Sequence, residues 1–97
     1  MSVPDTIEKL MSISQAEFLA SLEHVGTTKQ ASGGYWSSAL EGGGTADIHF
    51  EPLPGVRLGG LLELPRARVS IILTGGSATA RREFLHRFEL AFQRGGG

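Results

Sequence analysis

Cysteine is absent from the chain, and lysine occurs only as Lys9 and Lys29. The first absence excludes a disulfide framework, a thiolate nucleophile and any cysteine-based zinc or iron–sulfur site. Long apolar runs are missing too, since no stretch approaches the ~20 residues of a membrane span. The start, Met1-Ser2-Val3-Pro4-Asp5, lacks the basic and apolar regions of a secretory leader, which predicts a cytoplasmic location. With two lysines and an isoelectric point near 6.3, the chain falls short of the basic balance of a domain that lives on phosphate contacts, so nucleic acid is not an expected partner. The spacings of a Walker loop and of a dinucleotide fingerprint are likewise missing.

What is present suits one folded domain spanning residues 1–97. Hydrophobic residues make up 40% and charged residues 20% of the 97 residues, a globular balance with room for a single core. A domain this small is marginally stable, which favours association with a copy or a partner. The net charge of −1 conceals an asymmetry. Residues 1–53 set Lys9 and Lys29 against seven acids, whereas residues 54–97 set seven arginines against Glu63, Glu83 and Glu89. Pairing between the halves is one expectation, and a basic face for an anionic partner is the other.

Periodicity predicts α+β architecture: a two-layer sandwich in the order α-β-β-β-β-α, with an antiparallel four-stranded meander and both helices on one face. Residues 1–13 read as a loose N-terminal segment, with a helical turn where Ile7, Leu10 and Met11 follow Pro4-Asp5-Thr6. Ser14-Gln15-Ala16-Glu17 is a capping box, and Phe18, Leu19, Leu22 and Val25 continue one helical face until Gly26. Residues 26–34 read as a polar loop and Tyr35 to Leu40 as the first strand. Ala46, Ile48 and Phe50 alternate with Asp47, His49 and Glu51 in the second. Pro52-Leu53-Pro54-Gly55 is expected to end that strand, because proline supplies no amide donor.

A third strand from Val56 to Leu64 and a fourth from Ala67 to Thr74 then form a hairpin about Pro65-Arg66. Pairing Leu64 with Ala67 predicts Leu62 opposite Val69, Leu58 opposite Leu73 and Glu63 opposite Arg68. Glu51 opposite Arg57 would align Phe50 with Leu58. Phe84, Leu85, Phe88, Ala91 and Phe92 mark the apolar stripe of a second helix that Gly95 caps. Gly95-Gly96-Gly97 resembles the tail of ubiquitin-like carriers. Their tail follows a strand, whereas here it follows a helix, so a cap and a flexible tail are expected.

Three candidate sites follow. Leu61 and Ile72, beside Gly59 and Ser70 and bordered by Arg57, Glu63 and Arg68, compose an apolar centre with a charged rim on the open sheet face. That pattern predicts a non-enzymatic binding domain, held to a copy of itself or to another protein. Gly75-Gly76-Ser77 leads a strand into a helix, and with Arg81 and Arg82 is the candidate for an anion or phosphate ligand. Asp47, His49 and Glu51 share one strand face and are the residues that a metal or acid/base pair would use. No cofactor is implied by any of them.

Overall fold

The computed structural model describes residues 5–26 and 29–93. Their order is β1 (Asp5–Met11), α1 (Gln15–Leu22), β2 (Lys29–Ser32), β3 (Tyr35–Leu40), β4 (Gly44–Leu58), β5 (Leu62–Thr74) and α2 (Ala78–Gln93). All strand pairs are antiparallel, in the spatial order β1-β5-β4-β3-β2. The α+β class and the antiparallel sheet agree with the pattern of the sequence. The described sheet has five strands, however, not four.

Residues 5–11 are a strand rather than a helical turn. Ile7 and Met11 fit both templates, lying four apart for a helix and an even number apart for a strand. A helical turn this short gains too few hydrogen bonds to offset its nucleation. The free edge of β5 satisfies every second amide instead, pairing Asp5 with Leu73 through to Met11 with Ala67. Lys29–Ser32, expected within a loop, is a short edge strand against β3. The glycine tail lies outside the described residues.

The two helices form where their caps are written. The Ser14 hydroxyl accepts from the Glu17 amide at 3.2 Å, and the Glu17 carboxylate accepts from the Ser14 amide at 3.0 Å. These bonds hold the Glu17 carboxyl below its ordinary value. α1 ends at Leu22, earlier than the apolar face suggested, and Leu19 is exposed while Val25 is buried just beyond the helix. At the start of α2 the Ser77 hydroxyl accepts from the Ala80 amide at 3.0 Å.

One continuous core unites both helices with the inner face of the sheet. Phe18 of α1 sits at its centre, with ring centroids 5.1 Å from Trp36, 4.7 Å from Phe50 and 5.5 Å from Phe92. Phe84 and Phe88 of α2 are fully buried with Ile48, Val69 and Ile71. Gly44 lets the β3–β4 turn pass against the end of β5, because a Cβ there would collide with the backbone of Thr74, Gly75 and Gly76.

The hairpin differs from its expected form in a way that shapes the whole molecule. β4 does not stop at Pro52 but runs 15 residues to Leu58, and the turn falls at Gly59-Gly60-Leu61. Both prolines fit extended backbone, and beyond His49 no residue of β4 pairs with β3, so a missing amide donor costs no rung on that side. A register shift between Leu53 and Val56 absorbs the extra residue. Pro65, expected in a turn, lies within β5 beyond the last rung of β1. Gly59 (φ 63°) and Gly60 (φ 75°) supply the consecutive left-handed residues that reverse the chain.

Register changes accordingly. Arg57 pairs with Glu63, Glu51 with Arg68, and Phe50 with Val69; the expected Glu63–Arg68, Glu51–Arg57 and Leu58–Leu73 pairings do not form. The outer part of β4 and β5 is a two-stranded arm projecting past the other three strands. It draws the molecule out to 50 × 22 × 20 Å, with a radius of gyration of 14.3 Å against about 13 Å for a compact chain of similar length.

Candidate interaction surface

Strand alternation sorts the side chains of the sheet into two faces. The helix-covered face holds Ala46, Ile48, Phe50, Val69, Ile71 and Leu73, all buried. On the other face the pairing aligns rows that cross the sheet. One runs Ser37, Asp47, Ile72, Thr6; the next runs Tyr35, His49, Ser70, Glu8; a third runs Glu51, Arg68, Leu10.

The polar groups on this face are largely committed to one another. Arg68 donates from Nη1 to Glu51 at 3.0 Å and lies 3.6 Å from Glu8, tying β4, β5 and β1 together. Tyr35 and His49 stack at 4.2 Å between centroids with an interplanar angle of 14°. Asp47, His49 and Glu51 do share the face, but Glu51 is engaged by Arg68 and His49 by Tyr35. Among the described residues no group of three or more His, Cys, Asp or Glu is placed to hold a metal ion.

Along the arm the same face turns apolar. By alternation along β5, Leu62 and Leu64 stand on the side of Arg66 and Arg68, and their partners are Leu58 and Val56. None of the four is covered: Leu62 is 55% exposed, Leu58 49%, Val56 38% and Leu64 36%, while Leu61 at the tip is 100% exposed. The opposite face of the arm carries Arg57 and Glu63, paired at 3.5 Å. The arm is therefore an amphipathic ribbon.

The sequence-predicted interface residues are divided between two regions. Gly59 and Leu61 lie in the turn at the tip, and Arg57 and Glu63 on the charged side of the arm. Arg68, Ser70 and Ile72 lie on the body of the sheet. Leu61 and Ile72 are thus not neighbours, and of the exposed apolar residues of the arm only Leu61 belongs to the predicted set. The signal that identifies the strip is Gly59-Gly60 between two apolar runs, a hairpin turn that shortens both flanking strands' claim on the core.

At the strand-to-helix turn, Gly75 (φ 68°) and Gly76 (φ 78°) are left-handed. The Ser77 amide donates to the Glu41 carbonyl at 3.0 Å, and its hydroxyl caps α2. Arg81 forms an ion pair with Asp5 and also approaches the Leu73 carbonyl at 3.5 Å. Arg82 stays exposed, beside Thr79, Glu83 and His86 around an open depression. The donors nearest the turn thus serve the fold, joining the β3–β4 turn and β1 to α2.

A second depression of about 430 Å³ lies between the helices, lined by His24, Arg87, Leu90, Ala91 and Gln93. There the Arg87 Nε donates to the Val25 carbonyl at 3.0 Å, which anchors the end of α1 on α2. No described helix is long and apolar enough to cross a membrane. No family model, curated protein or solved structure matches the chain.

Proposed function

We propose that this chain is a non-enzymatic protein-interaction domain whose contact surface is the apolar arm and the adjoining outer sheet face. The observation that carries the reading is the exposure of Val56, Leu58, Leu61, Leu62 and Leu64 on one ribbon. An isolated two-stranded hairpin is marginally stable in water, and contiguous apolar surface of this kind on a small domain marks a contact. Covering one half-exposed leucine contributes roughly 1 kcal/mol, so a surface that seats the strip stabilises the arm as it binds.

The charged surroundings support the same view. Arg68 with Glu8 and Glu51 at the base of the arm places ion pairs at the margin of an apolar centre, the arrangement common to protein contacts. Arg68, Ser70 and Ile72 then belong to the margin of the contact, and Leu61 to its distal end.

Site-specific photocrosslinking in the producing cell tests the reading. A photoreactive side chain at Leu62 should form a discrete protein adduct, and the same group at Thr79 on the exposed side of α2 should not. Equal labelling at both positions, or none at Leu62, would refute it.

A further inference from the structure

We infer that the partner seated on the arm is a second copy of this chain, related by a two-fold axis that crosses the two arms face to face. The inference rests on the reading of the arm as a contact surface and adds the identity of what covers it.

Chemistry narrows the occupant first. The side chains of Val56, Leu58, Leu62 and Leu64 carry no polar atom, so the matching surface must be apolar. Contacts between identical subunits are on average more apolar than those between unlike proteins. The chain carries such a surface itself, and an isologous contact asks for a surface that matches its own image.

The register supplies that match. Leu58 faces Leu62 near the tip, and Val56 faces Leu64 one repeat nearer the body. A copy rotated by a half turn across the arm sets Leu58 and Leu62 over the partner's Val56 and Leu64, with the reciprocal contact formed at the same time. The tip, Leu61, then reaches the base of the other arm, where Leu53 and the 62%-exposed Leu10 lie. The strip itself holds no charge, because Arg57 and Glu63 pair on the reverse side. Arg66, opposite Leu53 on the same face, stands at the margin of the contact beside the partner's tip.

Association through the edges is disfavoured by the same sequence. Pro52 and Pro54 on β4 and Pro65 on β5 withhold amide donors along the arm, which guards it against addition of another strand. The unguarded surface is the face. The arm beyond Glu51 is roughly 20 Å long and two strands wide, less than the ~800 Å² per partner of a standard interface. The contact therefore includes the base of the partner's arm, and the dimer is reversible with concentration.

Sedimentation velocity on the full chain, from low to high micromolar concentration, should show the mass rising from one copy to two. Leu58→Glu with Leu62→Glu should weaken association at least tenfold while circular dichroism stays native and thermal unfolding matches the parent at dilutions where both are monomeric, and Arg82→Glu should leave association unchanged. Because the chain has no cysteine, Arg57→Cys gives one spin-label site on the arm's charged side. Labels in the dimer should lie roughly 20–30 Å apart, as two sheets packed about 10 Å apart require with labels standing outward. A monomer at every concentration, a dimer that survives the double substitution, or labels beyond about 50 Å would each overturn the inference. A monomer whose Leu62 photoprobe still yields an adduct with another protein would remove the second copy and leave the arm as a contact surface. Without that adduct, both readings fail.

Discussion

Arg68 and Glu51 face each other across β4 and β5, with the guanidinium Nη1 3.0 Å from the carboxylate, and Glu8 of β1 approaches the same arginine at 3.6 Å. One cation thus joins three strands at the point where the sheet narrows into the arm. Both partners of the closer pair are partly exposed, 41% and 45%, so solvent screens the attraction. Arg68→Gln is expected to lower unfolding free energy by about 0.5–1 kcal/mol at low salt. Urea titrations should show the difference shrinking as salt is added, and a loss that is large and insensitive to salt would contradict this account.

Phe18 touches rings from the sheet and from α2 and is completely buried. Phe18→Ala should cost about 3–5 kcal/mol, the transfer of a buried ring plus the cavity left behind. Trp36, the single tryptophan, lies beside it, so fluorescence in denaturant reports the loss directly.

Gly44 has no room for a side chain, since the obstruction comes from the backbone of residues 74–76. Gly44→Ala should destabilise by roughly 1–3 kcal/mol, as expected for overpacking against atoms that cannot rotate away. Gly43→Ala probes a different limit, because nothing lies near its Cβ but its φ is 89°. It should lose stability through backbone strain alone, and calorimetry on the two variants separates the effects.

The Glu17 carboxyl is held below its ordinary value of 4.5 by the Ser14 amide and, secondarily, by the Ser14 hydroxyl. A carboxyl lowered in the folded state stabilises fully above its unfolded value, and that stability is lost as pH falls through the folded value. Stability should therefore decline on acidification below about pH 4.5. In Glu17→Gln that part of the slope should be absent, as measured by urea midpoints across the acid range. Ser14→Ala should cost about 1 kcal/mol at neutral pH.

Leu61 is fully exposed at the tip of the arm, so Leu61→Ser should change unfolding free energy of the monomer by less than about 0.5 kcal/mol. A larger loss at dilutions where the chain is monomeric would mean that the tip folds back onto the body.

Local chemistry was legible wherever one element decided its own form. The Ser14–Glu17 box placed α1, the Phe84, Phe88, Phe92 stripe placed α2, and alternation placed the buried side of Ala46, Ile48 and Phe50. Each of these signals involves neighbours within one or two turns or a few residues of strand, where backbone geometry alone determines which side chains share a face. The candidate surface was legible only as composition: leucines flanked by glycine and by charges of both signs.

Tertiary structure decided the rest, for reasons that lie in partners distant along the chain. Asp5–Met11 became a strand because β5 offered an unpaired edge some sixty residues away. Pro52, Pro54 and Pro65 stayed inside strands because β3 and β1 end before reaching them. Moving the turn to Gly59-Gly60 exchanged every cross-strand partner beyond it, since a turn shifted along a hairpin slides the register of both strands. From sequence alone, Val56, Leu58, Leu62 and Leu64 belong to a strand with one apolar face. Only the fold determines that no helix reaches that face, and so turns a core pattern into an open surface.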